Sequence, residues 1–131
     1  MTHPVKFADV DGLDSNQDDK SSLSMLDEWY ASIRNVPVDE LQIGDLARAC
    51  RQKLHLRLIV PVIANELRLD PLAGEIYDGE LVKSLLSVPR LYWVENPVDA
   101  KDLLDIALTT VVFEDDDVRD SFLQLKEVLA G

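Results

Sequence analysis

The sequence holds one cysteine, two histidines and few aromatic residues, and no apolar run nears membrane length. Each shortage excludes something. A lone Cys50 cannot close an internal disulfide. It stands in an amphipathic pattern with Leu46 and Ala47, so it reads as a small buried hydrophobe rather than a reactive thiol. No stretch approaches the ~20 apolar residues of a membrane span. The first ten residues carry Lys6 but no apolar core after it, so they do not read as a secretory signal. Together these features lead us to expect a cytoplasmic protein. His3 and His55 are the only imidazoles, and a Ser-His-Asp or Cys-His site needs one of them as its base. Cys50 and His55 are spaced so that they do not share a helix face. No Gly-rich phosphate loop, HExxH or CxxC motif is present, so we expect no catalytic set, no cofactor, no metal and no small-molecule substrate. Bases are scarce as well. Thirteen Lys and Arg stand against 25 Asp and Glu, giving a net charge of -12. That balance argues against binding to free nucleic acid or to an anionic membrane, since both need positive charge. It favours a basic protein partner or a cationic ligand.

What is present suits one globular domain. The chain has 131 residues, of which 47% are hydrophobic, enough for a single core. Residues 1–20 are expected to be a flexible acidic arm, and residues 21–131 a helical domain. The arm's "DVDGLDSNQDD" alternates acids with a glycine, but an EF-hand loop needs Gly at its sixth position and Glu at its twelfth. Counted from Asp9, those positions are Asp14 and Lys20. We therefore expect no calcium loop.

Beyond the arm the apolar residues recur at helical spacing. Leu26, Trp29, Tyr30 and Ile33 make one face, and Leu46, Ala47, Cys50 and Leu54 make the next. Leu56, Ile59, Val60, Ile63 and Leu67 mark a largely buried helix containing Pro61. That helix is either kinked near Arg57 or begins only a few residues before the proline. A short face of Leu81, Val82, Leu85 and Leu86 comes next. "SVPRLYWVENP" reads as a connector bounded by Pro89 and Pro97. Ala100 to Val111 forms another helix, whose β-branched end, "TTVVF", allows a short strand. Val118, Phe122, Leu125 and Leu129 close the chain with a last helix. The expected fold is all-α, a single-domain bundle of roughly six helices with short connections.

Two charged clusters and one turn invite chemical readings. Glu114-Asp115-Asp116-Asp117 stands before the last helix, where acids cap and suit the helix dipole. We prefer that to a metal site, whose ligands usually come from separated elements. Arg48, Arg51, Lys53 and Arg57 read as a solvated helix back paired with nearby carboxylates. Trp29 and Trp93 read as core. Tyr77 differs, because it lies between Gly74 and Gly79 among Glu75, Asp78 and Glu80. A catalytic loop, a presented binding surface and a plain turn all fit that pattern.

The stretch from Val36 to Trp93 resembles the small helical immunity proteins of bacterial contact-dependent growth inhibition (CDI) systems. The resemblance rests on an ordered set. It begins with the helix from Leu41 to Arg48 and the Pro-containing helix from Leu54 to Leu67. It continues through the Asp70-Pro71-Leu72 step to Gly74, Tyr77, Gly79, Leu81, Ser84 to Leu86, Tyr92 and Trp93. It implies a protein that binds the C-terminal toxin domain of its cognate filament protein without catalysis. Such toxins are often nucleases with basic clefts, which the acidic charge would complement. Under that reading the expected contacts are Glu75, Tyr77, Asp78 and Glu80, with Asp99, Asp102, Asp115 and Asp116 as a second acidic surface. An all-α adaptor for another basic protein is the alternative, and a carboxylate-dependent hydrolase on Glu114 to Asp117 a remoter one.

Overall fold

The computed structural model describes residues 5–11, 25–110 and 115–130. Among them stand eight α-helices and no strand. They are α1 (Phe7–Asp11), α2 (Met25–Ile33), α3 (Ile43–Arg51), α4 (Leu56–Leu69), α5 (Glu80–Ser84), α6 (Arg90–Glu95), α7 (Pro97–Thr109) and α8 (Asp116–Ala130). Short 3-10 turns cover Val38–Glu40 and Leu85–Ser87. The fold is all-α as expected, with two short helices beyond the expected six. α1 lies in the stretch expected to be an arm, and α6 in the stretch expected to be a connector. A proline keeps the residue before it out of helical backbone, but its own fixed φ suits the start of a helix. Pro89 sits just before α6, and Pro97 is the first residue of α7. The prolines expected to bound a loop therefore start two helices. Residues 111–114, which include most of the run considered for a strand and Glu114, lie outside the described residues.

The chain divides into two compact units, Met1–Leu41 and Gln42–Gly131. In the first, Phe7 is buried and stacks on Tyr30 at 5.7 Å between ring centroids. The amide of Ala8 donates to the Arg34 carbonyl, and that of Val38 to Val5. Lys6 and Pro37 form an isolated antiparallel bridge. Ile33, Val38 and Leu41 complete the apolar cluster. Within the stretch expected to be flexible, residues 5–11 are thus held against α2 and the turn after it, while residues 12–20 lie outside the described residues.

The second unit is built around α3 and α4. α3 buries Leu46, Ala47, Ala49 and Cys50, and its small side chains let α5 come close. α4 buries Ile59, Val60, Ile63, Ala64 and Leu67. Leu81, Leu85, Leu103 and Leu125 are also fully buried, each contributing about 2 kcal/mol of apolar transfer. α4 starts at Leu56, five residues before Pro61, so the second of the two expected arrangements holds. Pro61 is the sixth residue of the helix, so the hydrogen bond to the Arg57 carbonyl is lost. Lys53 and His55 both adopt left-handed backbone, with φ of 59° and 47°. They turn the chain between α3 and α4, and Leu54 between them donates its amide to the Ala49 carbonyl. Among the described residues no helix is long and apolar enough to cross a membrane.

Candidate functional site

The loop between α4 and α5 is tied down from within. Asp70 Oδ1 accepts the Leu72 amide at 3.0 Å, a short side-chain turn of the kind Asp favours. The amide of Gly79 donates to Leu72, and that of Leu81 to Ala73. Both glycines are required by space. A Cβ on Gly74 would lie 1.9 Å from the Tyr77 carbonyl oxygen. Gly79 has φ of 84°, and a Cβ there would lie 2.5 Å from Val118 Cγ2 of α8. The loop backbone at Gly79 therefore packs directly on the Val118 side chain of α8.

Glu80 holds the loop in this shape. Its Oε1 accepts the amides of Glu75 at 2.9 Å and Ile76 at 3.2 Å. Its Oε2 lies 3.4 Å from Arg51 Nη1 of α3. Glu80 is only 1% exposed. Burial alone would raise its carboxyl, but the two amides and the Arg51 guanidinium outweigh that and hold it below its ordinary value. The expectation that Glu80 faces a partner is corrected on this ground: it faces inward and shapes the loop that carries its neighbours.

Those neighbours are displayed. Glu75, Tyr77 and Asp78 are exposed, and so is Ile76, at 78%. Glu75 also lies beside the first turn of α3. A Cβ on Gly44 would be 2.6 Å from its Oε1, so glycine leaves room there for a charge the helix dipole favours. Tyr77 has Lys83 Nζ 5.9 Å from its ring centroid, at the outer range of a cation–π contact.

Tyr77 and Asp78 form one side of a groove of about 630 Å³. The other side is the first half of α8, with Asp115, Asp117, Asp120 and Gln124. Lys83 is the only base among the lining residues, against four carboxylates. Asp115 Oδ1 also accepts the Val118 amide at 3.1 Å, the capping role expected of this run. Asp116 pairs with Arg119 one turn on.

The structure regroups the remaining expected residues. Asp115 lines the groove with the Tyr77 loop rather than joining Asp99 and Asp102 in a second surface. Asp99 accepts the Tyr92 hydroxyl proton at 2.7 Å. Burial raises the Tyr92 phenol above its ordinary value, and the Asp99 hydrogen bond and charge add to the shift. Asp102 is paired with Arg68 of α4. Both acids therefore have partners inside the protein. Asp117, Asp120 and Ile76 are absent from the contacts expected from sequence. Asp117, Asp120 and Gln124 share one helical face, a spacing that could have flagged the two acids. Nothing local marks Ile76 as outward.

Cys50 and the two tryptophans are also read from sequence. Cys50 is buried with Sγ 3.3 Å from the Ser84 carbonyl oxygen. Burial pushes its thiol up to about 11, which suits a packed hydrophobe rather than a nucleophile. Trp93 is core, with Tyr92 edge-on at 5.3 Å, whereas Trp29 is only half-buried. Among the described residues no group of three or more His, Cys, Asp or Glu could hold a metal ion.

The described residues form an all-α fold that displays a braced loop beside the acidic start of α8. A family model described as CDI immunity proteins matches residues 12–103. The chain belongs to that family, and is an immunity protein for a toxin of contact-dependent growth inhibition. No curated protein matches it significantly. The match contains the whole motif-bearing stretch from Val36 to Trp93 and ends at Leu103, before α8. One side of the acidic groove thus lies inside the matched stretch and the other beyond it.

Proposed function

We propose that this protein neutralises its cognate toxin by seating a basic segment of the toxin domain in the acidic groove, without catalysis and inside the cell that carries it. The observation that carries this reading is the groove, in which Tyr77 and Asp78 stand opposite Asp115, Asp117 and Asp120. Four carboxylates along a concave surface would make the local potential negative and steer a cationic partner. Ile76 and Tyr77 would supply the apolar contact that holds it after encounter. A nuclease is the toxin class that fits best, because its substrate-binding cleft must be basic to hold phosphates. The acids would occupy the place of those phosphates.

The test is co-purification with the toxin domain encoded beside this gene, and then binding curves at two salt concentrations. Tight binding that weakens with salt, and weakens on replacing Asp78, Asp117 and Asp120 by Asn, would support the reading. Unchanged affinity in that triple variant would overturn the groove as the contact surface. No binding to the toxin at all would overturn the neutralising function.

A further inference from the structure

The acidic groove holds one positive charge. Lys83 of α5 is the only base among its lining residues, beside Asp78, Asp115, Asp117 and Asp120. Among the described residues Lys83 makes no ion pair with any of the four. Its Nζ stands instead 5.9 Å from the centroid of the Tyr77 ring, and its side chain is exposed. The backbone that carries it is fixed from both sides. Leu81 and Val82 are fully buried and Ser84 is nearly so, while the Lys83 amide donates to the Gly79 carbonyl at 3.0 Å. The cation is therefore confined to the reach of one side chain, in a groove whose other charges all have the opposite sign. Lys83 neither pairs with an acid nor shapes the loop, which Glu80 and the two glycines hold.

We propose that Lys83 is a specificity-determining residue of this groove. It turns away an evenly basic chain, and admits a segment whose bases meet Asp117 and Asp120 but which carries no positive charge opposite Lys83. A groove lined by acids alone would attract any polycation through the same long-range field. Specificity is a difference of affinities, and a like charge standing where the wrong partner must put its own creates that difference. Two unit charges about 6 Å apart in water cost roughly threefold in affinity, and more where the contact is drier. The ammonium stands by the Tyr77 ring, on the loop side, while Asp117 and Asp120 across the groove carry no ion pair among the described residues. Both acids are thus left for the partner. This inference rests on the groove being the toxin's seat, and it states which charge pattern that seat accepts.

The test measures two ligands against the full chain: the toxin domain encoded beside this gene, and a labelled decalysine peptide. The forms compared are wild type, Lys83→Met, Lys83→Arg and Lys101→Met. Lys101 lies on α7 by the last turn of α8, outside the acidic groove, so its loss changes the net charge equally without touching the groove. Fluorescence anisotropy at about 0.15 M salt, where charges are screened beyond ~8 Å, keeps the comparison local. Lys83→Met should bind decalysine about threefold more tightly or better. Lys101→Met should leave decalysine nearly unchanged, and Lys83→Arg, which keeps the charge, should match wild type. Toxin affinity should not rise in Lys83→Met, so the preference for toxin over decalysine shrinks. Equal gains in Lys83→Met and Lys101→Met would overturn the inference. So would a toxin affinity that rises as much as that of decalysine, or a Lys83→Arg variant that behaves like Lys83→Met. The variant with Asp78, Asp117 and Asp120 replaced by Asn separates the two failures. If it binds the toxin as tightly as wild type, the seat is wrong and this inference falls with it. If it loses the toxin but Lys83→Met shows no gain for decalysine, the seat stands and the inference alone falls.

Discussion

The acidic groove and a second groove of about 420 Å³, with mostly apolar walls where α6, α7 and the end of α8 meet, differ in almost every chemical respect, yet α8 lines both. Its first half brings Asp117 and Asp120 to one, and its last turn brings Val128 and Leu129 to the other. The acids stand where the helix dipole favours negative charge. The acidic groove is also braced, because Glu80 and two glycines fix the loop that forms its far side. Beside the apolar groove, Tyr92 ties α6 to Asp99 of α7, while the buried Trp93 indole N–H has no partner among the described residues. The contrast is one of chemistry: carboxylates line one groove, and mostly apolar side chains line the other.

The largest test of this contrast neutralises the acids. Replacing Asp78, Asp117 and Asp120 together by Asn should weaken toxin binding by about 3 kcal/mol or more, since truncating charges that become desolvated costs ~2–5 kcal/mol each and rim charges much less. Calorimetry at low salt would measure it. Glu80→Ala should act through the fold instead. It strands Arg51 and two loop amides, at a cost of about 3 kcal/mol in urea unfolding, from the loss of hydrogen bonds to a charged group. Toxin affinity should fall with it, because the display of Ile76 and Tyr77 depends on that loop.

Gly79→Ala should cost about 2 kcal/mol, from left-handed backbone and from overlap with Val118. Denaturant titration would read it. The Glu80 carboxyl is held below its ordinary value of 4.5 in the folded protein. Its contribution is therefore complete above that value and is lost as pH falls below it. Wild-type stability should drop more steeply than that of Glu80→Gln below about pH 4.5, where the unfolded carboxyl begins to take up protons. Equal slopes would mean that Glu80 does not carry the acid sensitivity. The smallest effect belongs to Asp102→Asn. Its partially exposed pair with Arg68 should contribute under about 0.5 kcal/mol, and toxin affinity should not change. A large loss of affinity there would move the contact surface away from the Tyr77 loop.

How much of this is legible in the sequence depends on how local the cause is. The stripes of α3, α4 and α8 come from helical spacing alone, and Leu46, Ile63, Leu67 and Phe122 are buried as that spacing requires. Glu80 misleads because a carboxylate opening a helix ordinarily faces water. Its burial is decided by Arg51, 29 residues away in sequence, and by two amides of a loop whose path the sequence does not show. Asp102 reads as a contact residue only while its partner Arg68, 34 residues distant, is out of view. Phe7 is hidden for a similar reason, as a single aromatic in a polar stretch whose burial depends on Tyr30 in another helix. The motif locates the loop, but only the packing shows which of its side chains face out.

Gly79 carries one more consequence. A methyl group of Val118 rests where a side chain at residue 79 would be, so the width of the acidic groove is set by an atom that is missing. Its acids stand along the rim and make none of the contacts that hold the two sides together at this point. Such a frame can exchange its charges one at a time, to meet a differently charged toxin, without moving the walls that present them. Asp115 is the exception, because it also accepts the Val118 amide and caps α8.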